Sequence, residues 1–485
     1  MMDNRTRVVS NFLWRFFERI GAQMITVIVN IILARKLGPG PAGKIAIVLA
    51  VTNLLKVFAE SGMGTALIQK KDPDDLDFSS VFYFNLGFST LLYLGLFAFA
   101  PRIAAHYGDL SLTPVIRVLG LTLIVSGLYN VQQAYVSKTL QFKRFFFATL
   151  GGTVFSGALS VAMVYLGCGI WSLVALQLSN FAVNTLILWF TVHWRPKRMF
   201  SWERLGSLLS YGWKLLVSSF LDTAYNQLYP LIIGSRFTAE ALGQYDKGRS
   251  WPDQITTSIN QSLDSVLLPV LSEKQDQKAQ VREMTRRAIK TSSYVMMPVM
   301  AGLAACARPL IRLLLGEQWL PSVPYMQIFC VIYAFYPLHT ANLNAIKAVG
   351  RSDIFLKLEI IKTALGLAVL SVTVHYGIMA MALGMLFWDI CSQMINAWPN
   401  RKLLGYPYLT QLKDMAPSIL LSLVMAAAVL AVLRLGLPDL PTLLIQVPLG
   451  AAIYVLGSVL LKLDSFIYLL STAKNLIHRK AGRPQ

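Results

Sequence analysis

Residues 11–38 read NFLWRFFERIGAQMITVIVNIILARKLG, a stretch long and apolar enough to cross a bilayer that still carries Arg15, Glu18 and Arg19 inside it. On a helix, at about 100° per residue, Asn11, Arg15, Glu18, Arg19, Gln23, Thr26 and Asn30 share one stripe. A charge at mid-span costs about 2.5–3.5 kcal/mol against lipid, so such a stripe predicts a face turned to water, a counter-charge or polar cargo. The stretch is therefore a membrane span with one wet wall.

The rest of the chain agrees. Of 485 residues, 55% are hydrophobic and only 14% charged, with mean hydropathy +0.54. That is the composition of a polytopic membrane protein with little room for a soluble domain. Apolar windows, punctuated by Gly, Pro and charge, predict spans over 9–35, 42–66, 79–101, 112–136, 145–166 and 170–192. A second six follow over 207–235, 241–270, 288–313, 322–346, 353–375 and 378–399, and two more over 415–434 and 441–462. The expected fold is an all-α polytopic membrane protein of about 14 helices, with two pseudo-symmetric six-helix lobes around a central cavity and two added C-terminal helices. The expected domains are an N-terminal lobe over 1–192, a basic cytoplasmic linker over 193–206, a C-terminal lobe over 207–399, and over 400–485 the added helices with a basic tail.

The net charge of +20 gathers in alternate connectors, about 27 basic residues in one set against about 8 in the other. The rich set is expected on the cytoplasmic side, which puts both termini there, requires an even number of spans, and leaves no reason to expect a nucleic-acid partner. Charges interrupt the first apolar run and no cleavage site follows, so it is read as a retained span rather than a signal peptide. The two sixes resemble each other: IILARKLGPGPAGKI at 31–45 aligns with LIIGSRFTAEALGQY at 231–245, which sets Gly43 on Gly243.

Other spans repeat the charged stripe. The seventh aligns Lys214, Ser218, Asp222, Tyr225 and Tyr229, and the eighth aligns Asp246, Arg249, Ser250, Asp253, Thr257, Asn260 and Asp264. Lys56 and Glu60 lie four apart in the second, Glu359 and Lys362 in the eleventh, and Asp389 in the twelfth. Spans one, two, seven and eight are expected to line one hydrated cavity. Its cationic members, Arg15, Arg19, Lys56, Lys214, Lys247 and Arg249, suit phosphate, since a guanidinium forks two phosphate oxygens. Glu18, Asp222, Asp246 and Asp389 are read either as sites for a coupling H⁺ or Na⁺ or as counter-ions. Tyr225, Tyr229 and Trp251 are candidate sugar contacts, with packing as the competing role. Pairing inside the set, Lys56 with Glu60 or Asp246 with Arg249, is the plainer alternative to a cavity.

Catalysis has no visible seat: there is no GxxxxGK[ST], HExxH or GxSxG motif. The five histidines are scattered, and only His339, beside Asn342 and Asn344, is expected to face the interior. Cys168, Cys306, Cys330 and Cys391 show no paired spacing, so neither metal nor cofactor is expected.

LARKLGPGPAGKIAI at 33–47, ESGMGTALIQKKDPDDLDFSSVFYFNLGFS at 60–89, GCGIWSLVALQL at 167–178 and LLGEQWLPSVPYMQIF at 314–329 resemble the polysaccharide-exporter (Wzx-like) branch of the MOP flippase superfamily. The resemblance covers nearly all of the first twelve spans; Pro41 departs from it, standing where an acidic residue is common. It implies a monomeric inner-membrane flippase that moves undecaprenyl-diphosphate-linked oligosaccharide between leaflets by alternating access, partnered by membrane lipids and by the polymerase and glycosyltransferases of its pathway. By position it marks Arg15, Arg19, Lys214 and Arg249 as headgroup cations. Two other readings stand beside it: a cation-coupled multidrug exporter of the same fold, and a membrane polysaccharide polymerase or ligase, against which the short external connectors argue.

Overall fold

The apolar windows fold as helices because a backbone in lipid must satisfy its own hydrogen bonds. The computed structural model describes residues 4–471 apart from 61, 71, 140 and 275. Within that range it describes side chains except at 4–20, 142, 211, 214, 215, 218, 222, 261, 262, 264–266, 268, 269 and 352. The first helices are α1 (Asn4–Leu37), α2 (Pro39–Glu60), α3 (Met63–Gln69), α4 (Asp75–His106), α5 (Leu112–Lys138), α6 (Phe142–Tyr165), α7 (Ile170–Thr191) and α8 (Trp202–Arg236). Then come α9 (Ala239–Glu273), α10 (Lys278–Leu315), α11 (Val323–Ala334), α12 (Tyr336–Ala348), α13 (Ser352–Thr373), α14 (Ile378–Leu403), α15 (Tyr408–Ala431) and α16 (Asp439–Leu460), and no strand occurs among the described residues. Nine helical stretches among these residues are long and apolar enough to cross a membrane. Helices α8 and α9 are not among them, for they carry the charged stripes, and α11 and α12 are too short singly. The chain is an all-helical, multi-pass membrane protein.

Two expected spans are each split. The second breaks into α2 and α3 at Gly62, whose φ of +66° suits glycine. A Cβ there would stand 2.5 Å from the Gly212 carbonyl oxygen of α8. The tenth breaks into α11 and α12 at Phe335, two residues before Pro337, whose ring nitrogen cannot continue the hydrogen-bond ladder.

The chain divides into two compact units, residues 1–243 and 244–485. In the first, Ile45, Val48, Leu96, Leu119 and Leu123 of α2, α4 and α5 form one core. A second core gathers Met63, Leu67, Phe78, Phe82, Phe145, Leu188, Trp194 and Leu208. The aligned turns meet: a Cβ on Gly43 would fall 1.6 Å from the Ala239 carbonyl oxygen, and one on Gly243 would fall 2.1 Å from that of Pro39. Only glycine permits this approach of backbone to backbone.

The basic segment after α7 is a fastened strap. Trp194 Nε1 donates to Asp75 Oδ1 at 3.1 Å, and the Lys197 and Ser201 amides donate to the Ser79 and Ser80 hydroxyls at 3.0 and 2.9 Å. Buried Asp77 takes Lys70 Nζ at 2.6 Å and closes a reciprocal cap with Asp74, accepting from the Asp74 amide at 3.1 Å. The Asp77 amide's bond to Asp74 holds the Asp74 carboxyl below the usual carboxylate range. The QKKDPDDLDFSS stretch is thus the strap's anchor.

In the second unit α10 is the mast for the last two helices. Arg286 binds Asp414 of α15 at 2.7 Å, Arg312 binds Asp439 of α16 at 2.8 Å, and Tyr294 Oη donates to Ser458 Oγ at 2.8 Å.

Candidate functional site

Helix α9 comes against α11 at Gly248, where a Cβ would stand 2.8 Å from the Ser322 carbonyl oxygen. That contact brings one edge of the α9 stripe onto its neighbours. Arg249 Nε donates to Tyr333 Oη at 3.2 Å, and the same hydroxyl donates to Asp253 Oδ1 at 2.7 Å. About two turns beyond Asp253, Asn260 Oδ1 accepts from Thr340 Oγ1 of α12 at 2.6 Å. The other edge, with Asp246 and Thr257, is exposed. Arg249 therefore does not pair with Asp246; a tyrosine stands between it and the carboxylate that balances it.

Lys247 lies about 200° round the helix from Arg249, and its ammonium sits 5.7 Å from the ring centre of buried Trp319. It is not brought together with Arg249. Trp251, half-buried, lies about 40° from Lys247 on that same face.

A second polar group is built on α12 and α14. Asp389 Oδ1 is 3.1 Å from His339 Nε2, and Oδ2 accepts from Gln393 Nε2 at 2.7 Å. Asn396 Nδ2 lies 2.8 Å from His339 Nδ1, and Tyr408 Oη of α15 donates to Gln393 Oε1 at 3.2 Å. An imidazole with its proton on Nε2 satisfies both of its neighbours as they stand. His339 and Asp389 are 9% and 4% exposed, so this ionisable pair is sealed among helices. On α13, Lys362 Nζ binds Glu359 Oε1 at 2.7 Å, a structural pair three residues apart.

In the first unit Lys56 is 4.0 Å from Glu60 and 4.2 Å from the Phe181 ring centre. Tyr225 is half-buried, and Tyr229, 2% exposed, is a packing residue whose ring has no free face for a sugar. Arg15, Glu18, Arg19, Lys214 and Asp222 have side chains outside the described residues; their backbones belong to α1 and α8.

Tyr333, Gln393 and Asn396 escape a reading by charge alone. Tyr333 sits in the apolar run VPYMQIFCVIYAFYPLH, where an aromatic residue reads as packing. Asp389, Gln393, Asn396 and Asn400, spaced i, i+4, i+7 and i+11, do form a legible polar stripe on α14.

Residues 32–324 match the family model described as polysaccharide biosynthesis protein. The chain is 24% identical over 488 residues to the succinoglycan biosynthesis transport protein ExoT of Rhizobium meliloti (strain 1021), covering 98% of this chain and 95% of that one. Among solved structures it is similar to the lipid II flippase MurJ in an inward closed conformation, with TM-score 0.74, 16% identity, and 93% and 98% of the two chains covered. It also resembles an inward-facing multidrug resistance MATE family transporter of the MOP superfamily, with TM-score 0.62, 15% identity, and 79% and 94% covered. The match of more than half its length to one family model, on a helical fold shared with flippases, identifies the chain as a member of the polysaccharide biosynthesis protein family and as a membrane transport protein.

Proposed function

We propose that the protein flips a polyprenyl-diphosphate-linked oligosaccharide from the cytoplasmic to the outer leaflet of the bacterial inner membrane by alternating access. The reading counts fourteen spans, with α2 and α3 as one and α11 and α12 as another, and keeps both termini cytoplasmic. The observation that carries it is Arg249: a guanidinium held on the polar stripe of a transporter helix by its Nε, whose chemistry suits the paired oxygens of a phosphate. Family membership and the printed role of ExoT in succinoglycan biosynthesis transport support the saccharide. Arg15, Arg19 and Lys214 remain the other proposed headgroup cations. For a coupling H⁺ or Na⁺ the reading favours Asp389, whose carboxylate is sealed between His339 and Gln393.

The test is reconstitution in vesicles with a labelled polyprenyl-diphosphate oligosaccharide. Wild type is expected to expose the label to an external quencher, and Arg249→Ala to lose at least about tenfold of that rate. Normal flipping by Arg249→Ala would overturn the assignment. The MATE-like fold keeps a multidrug exporter as the rival reading, and ethidium efflux without oligosaccharide flipping would establish it instead.

A further inference from the structure

Arginine meets carboxylate most often through a direct fork, in which two N–H groups are consumed by two oxygens. Arg286 forks Asp414 in this way, through Nε and Nη2 at 2.7 Å each, but between Arg249 and Asp253 the fork is absent. Asp253 is four residues from Arg249, on the same face of α9 and within easy reach, yet Tyr333 Oη lies between them, accepting from Nε at 3.2 Å and donating to Oδ1 at 2.7 Å. Among the described residues no other hydrogen bond or ion pair engages the guanidinium. Its two Nη groups, with four N–H donors, are left uncommitted.

Tyr333 is itself fixed. It is 5% exposed, stacks on Phe329 with centroids 6.0 Å apart, and has Tyr336 at 6.0 Å on another side. Phe329 in turn packs edge-on against Tyr245 of α9 at 5.3 Å. The Tyr333 ring is therefore packed between Phe329 of its own helix and Tyr336 of α12, with Tyr245 of α9 behind Phe329, which limits where its hydroxyl can sit. A rigid hydroxyl flanked by a cation and an anion is polarised by both, which strengthens each bond.

We infer that Tyr333 is a positioning residue that separates Arg249 from Asp253, so that the guanidinium keeps its charge balance nearby but presents its Nη pair, pre-aimed, to two oxygens of a diphosphate. Asp253 orients the hydroxyl and balances the buried cation without occupying the fork. A lysine at 249 has no Nε to give the tyrosine and no second nitrogen for the ligand, so the arrangement is specific to arginine. This inference rests on the proposed headgroup role of Arg249 and assigns the residues that make it selective.

The experiment measures binding of farnesyl diphosphate and of farnesol, which lacks the phosphates, to the purified full-length protein in detergent. Wild type is expected to prefer the diphosphate; no preference would overturn the headgroup role of Arg249 and this inference with it. With a preference present, Arg249→Ala should abolish it and Arg249→Lys should not restore it. Tyr333→Phe keeps the ring and removes both bonds, and should lower the preference about tenfold while farnesol binding stays unchanged. An unchanged preference in Tyr333→Phe, with Arg249→Ala impaired, would overturn the positioning role alone. Equal losses for farnesol and diphosphate would mark Tyr333 as structural and overturn it too. Should Tyr333→Phe not accumulate, Asp253→Asn carries the test: a loss of preference is expected, and its absence overturns the inference.

Discussion

The two units hide polar groups in opposite ways. Among the described residues of the first, the polar groups buried in mid-helix are neutral: Ser126, Ser156 and Ser160 are fully covered, Ser156 donates to the Thr153 carbonyl at 3.2 Å, and Asn180 Nδ2 reaches Ser156 Oγ at 3.2 Å. Its strong ion pairs, Lys70 with Asp77, Lys197 with Asp75 and Lys44 with Asp109, stand at helix ends. The second unit instead places ionisable groups in mid-helix, with half-buried Arg249 and Asp253 about buried Tyr333 in one place and buried His339 with Asp389 in another. Small hydroxyl residues let helices approach and satisfy themselves on their own backbones, so they hold a scaffold together. Mid-helix charge is costly and is kept where it does work. Under the proposed function, the contrast leaves the first unit's described interior to packing and gives the second's ionisable groups to ligand and ion.

The severest way to break that contrast is at Gly43. A methyl there meets backbone on two sides, the Ala239 carbonyl at 1.6 Å and the Gly243 nitrogen at 3.0 Å, and no side chain can move aside. Gly43→Ala is expected to cost about 3 kcal/mol or more, seen as loss of folded protein in detergent extracts by size-exclusion chromatography. A monodisperse Gly43→Ala protein at wild-type yield would show that the turns are not locked by contact.

Next in size is the ionic centre of the second unit. Asp389→Leu leaves the His339 Nε2–H and the Gln393 amide buried without their acceptor and is expected to destabilise by about 2–3 kcal/mol, lowering the thermal midpoint of the purified protein. Asp389→Asn keeps the shape, should destabilise less, and should still lose ion-dependent transport in vesicles. The matched deletion in the first unit, Ser156→Ala, removes a bond to its own helix and one of the acceptors of Asn180 Nδ2, and is expected to cost about 1–2 kcal/mol with transport intact. If Ser156→Ala impaired transport as strongly as Asp389→Asn, the division between packing and ionic interiors would fail.

Much of this was readable in the residues. Among the described residues the α-helices overlap the expected windows, since hydropathy and Gly/Pro punctuation are local signals. The α9 stripe was legible from its 3.6-residue period, and half of it does make the polar contacts such a stripe demands. The break at Gly62 was not, because the approach of Gly212 from α8, about 150 residues away, is a tertiary fact. Nor was the separation of Lys247 from Arg249 drawn, although two residues of helix place them on nearly opposite faces. Tyr333 was hidden by its company: its role depends on a hydroxyl aimed between two residues of another helix, which no spacing within its own run records.

The smallest effect belongs to the pairs at helix ends, and it separates them from the sealed ones by pH and salt. Lys44 Nζ lies 2.7 Å from Asp109 Oδ2, with both side chains about a third exposed, at 35% and 31%. The Lys44 bond, helped by the Ser111 hydroxyl, holds the Asp109 carboxyl below its ordinary 3.8. A carboxylate depressed in the folded state adds stability above its unfolded value and loses it as pH falls through the folded one. The thermal midpoint of wild type should therefore fall more than that of Asp109→Asn between about pH 5 and about pH 3. Exposure keeps the difference to about 1 °C or less, and about 1 M salt should erase it, because exposed charges are screened. The Asp389 effect should survive the same salt, since bulk salt screens a pair buried among helices far less than an exposed one. A salt-sensitive Asp389 and a salt-insensitive Asp109 would reverse the assignment of the two interiors.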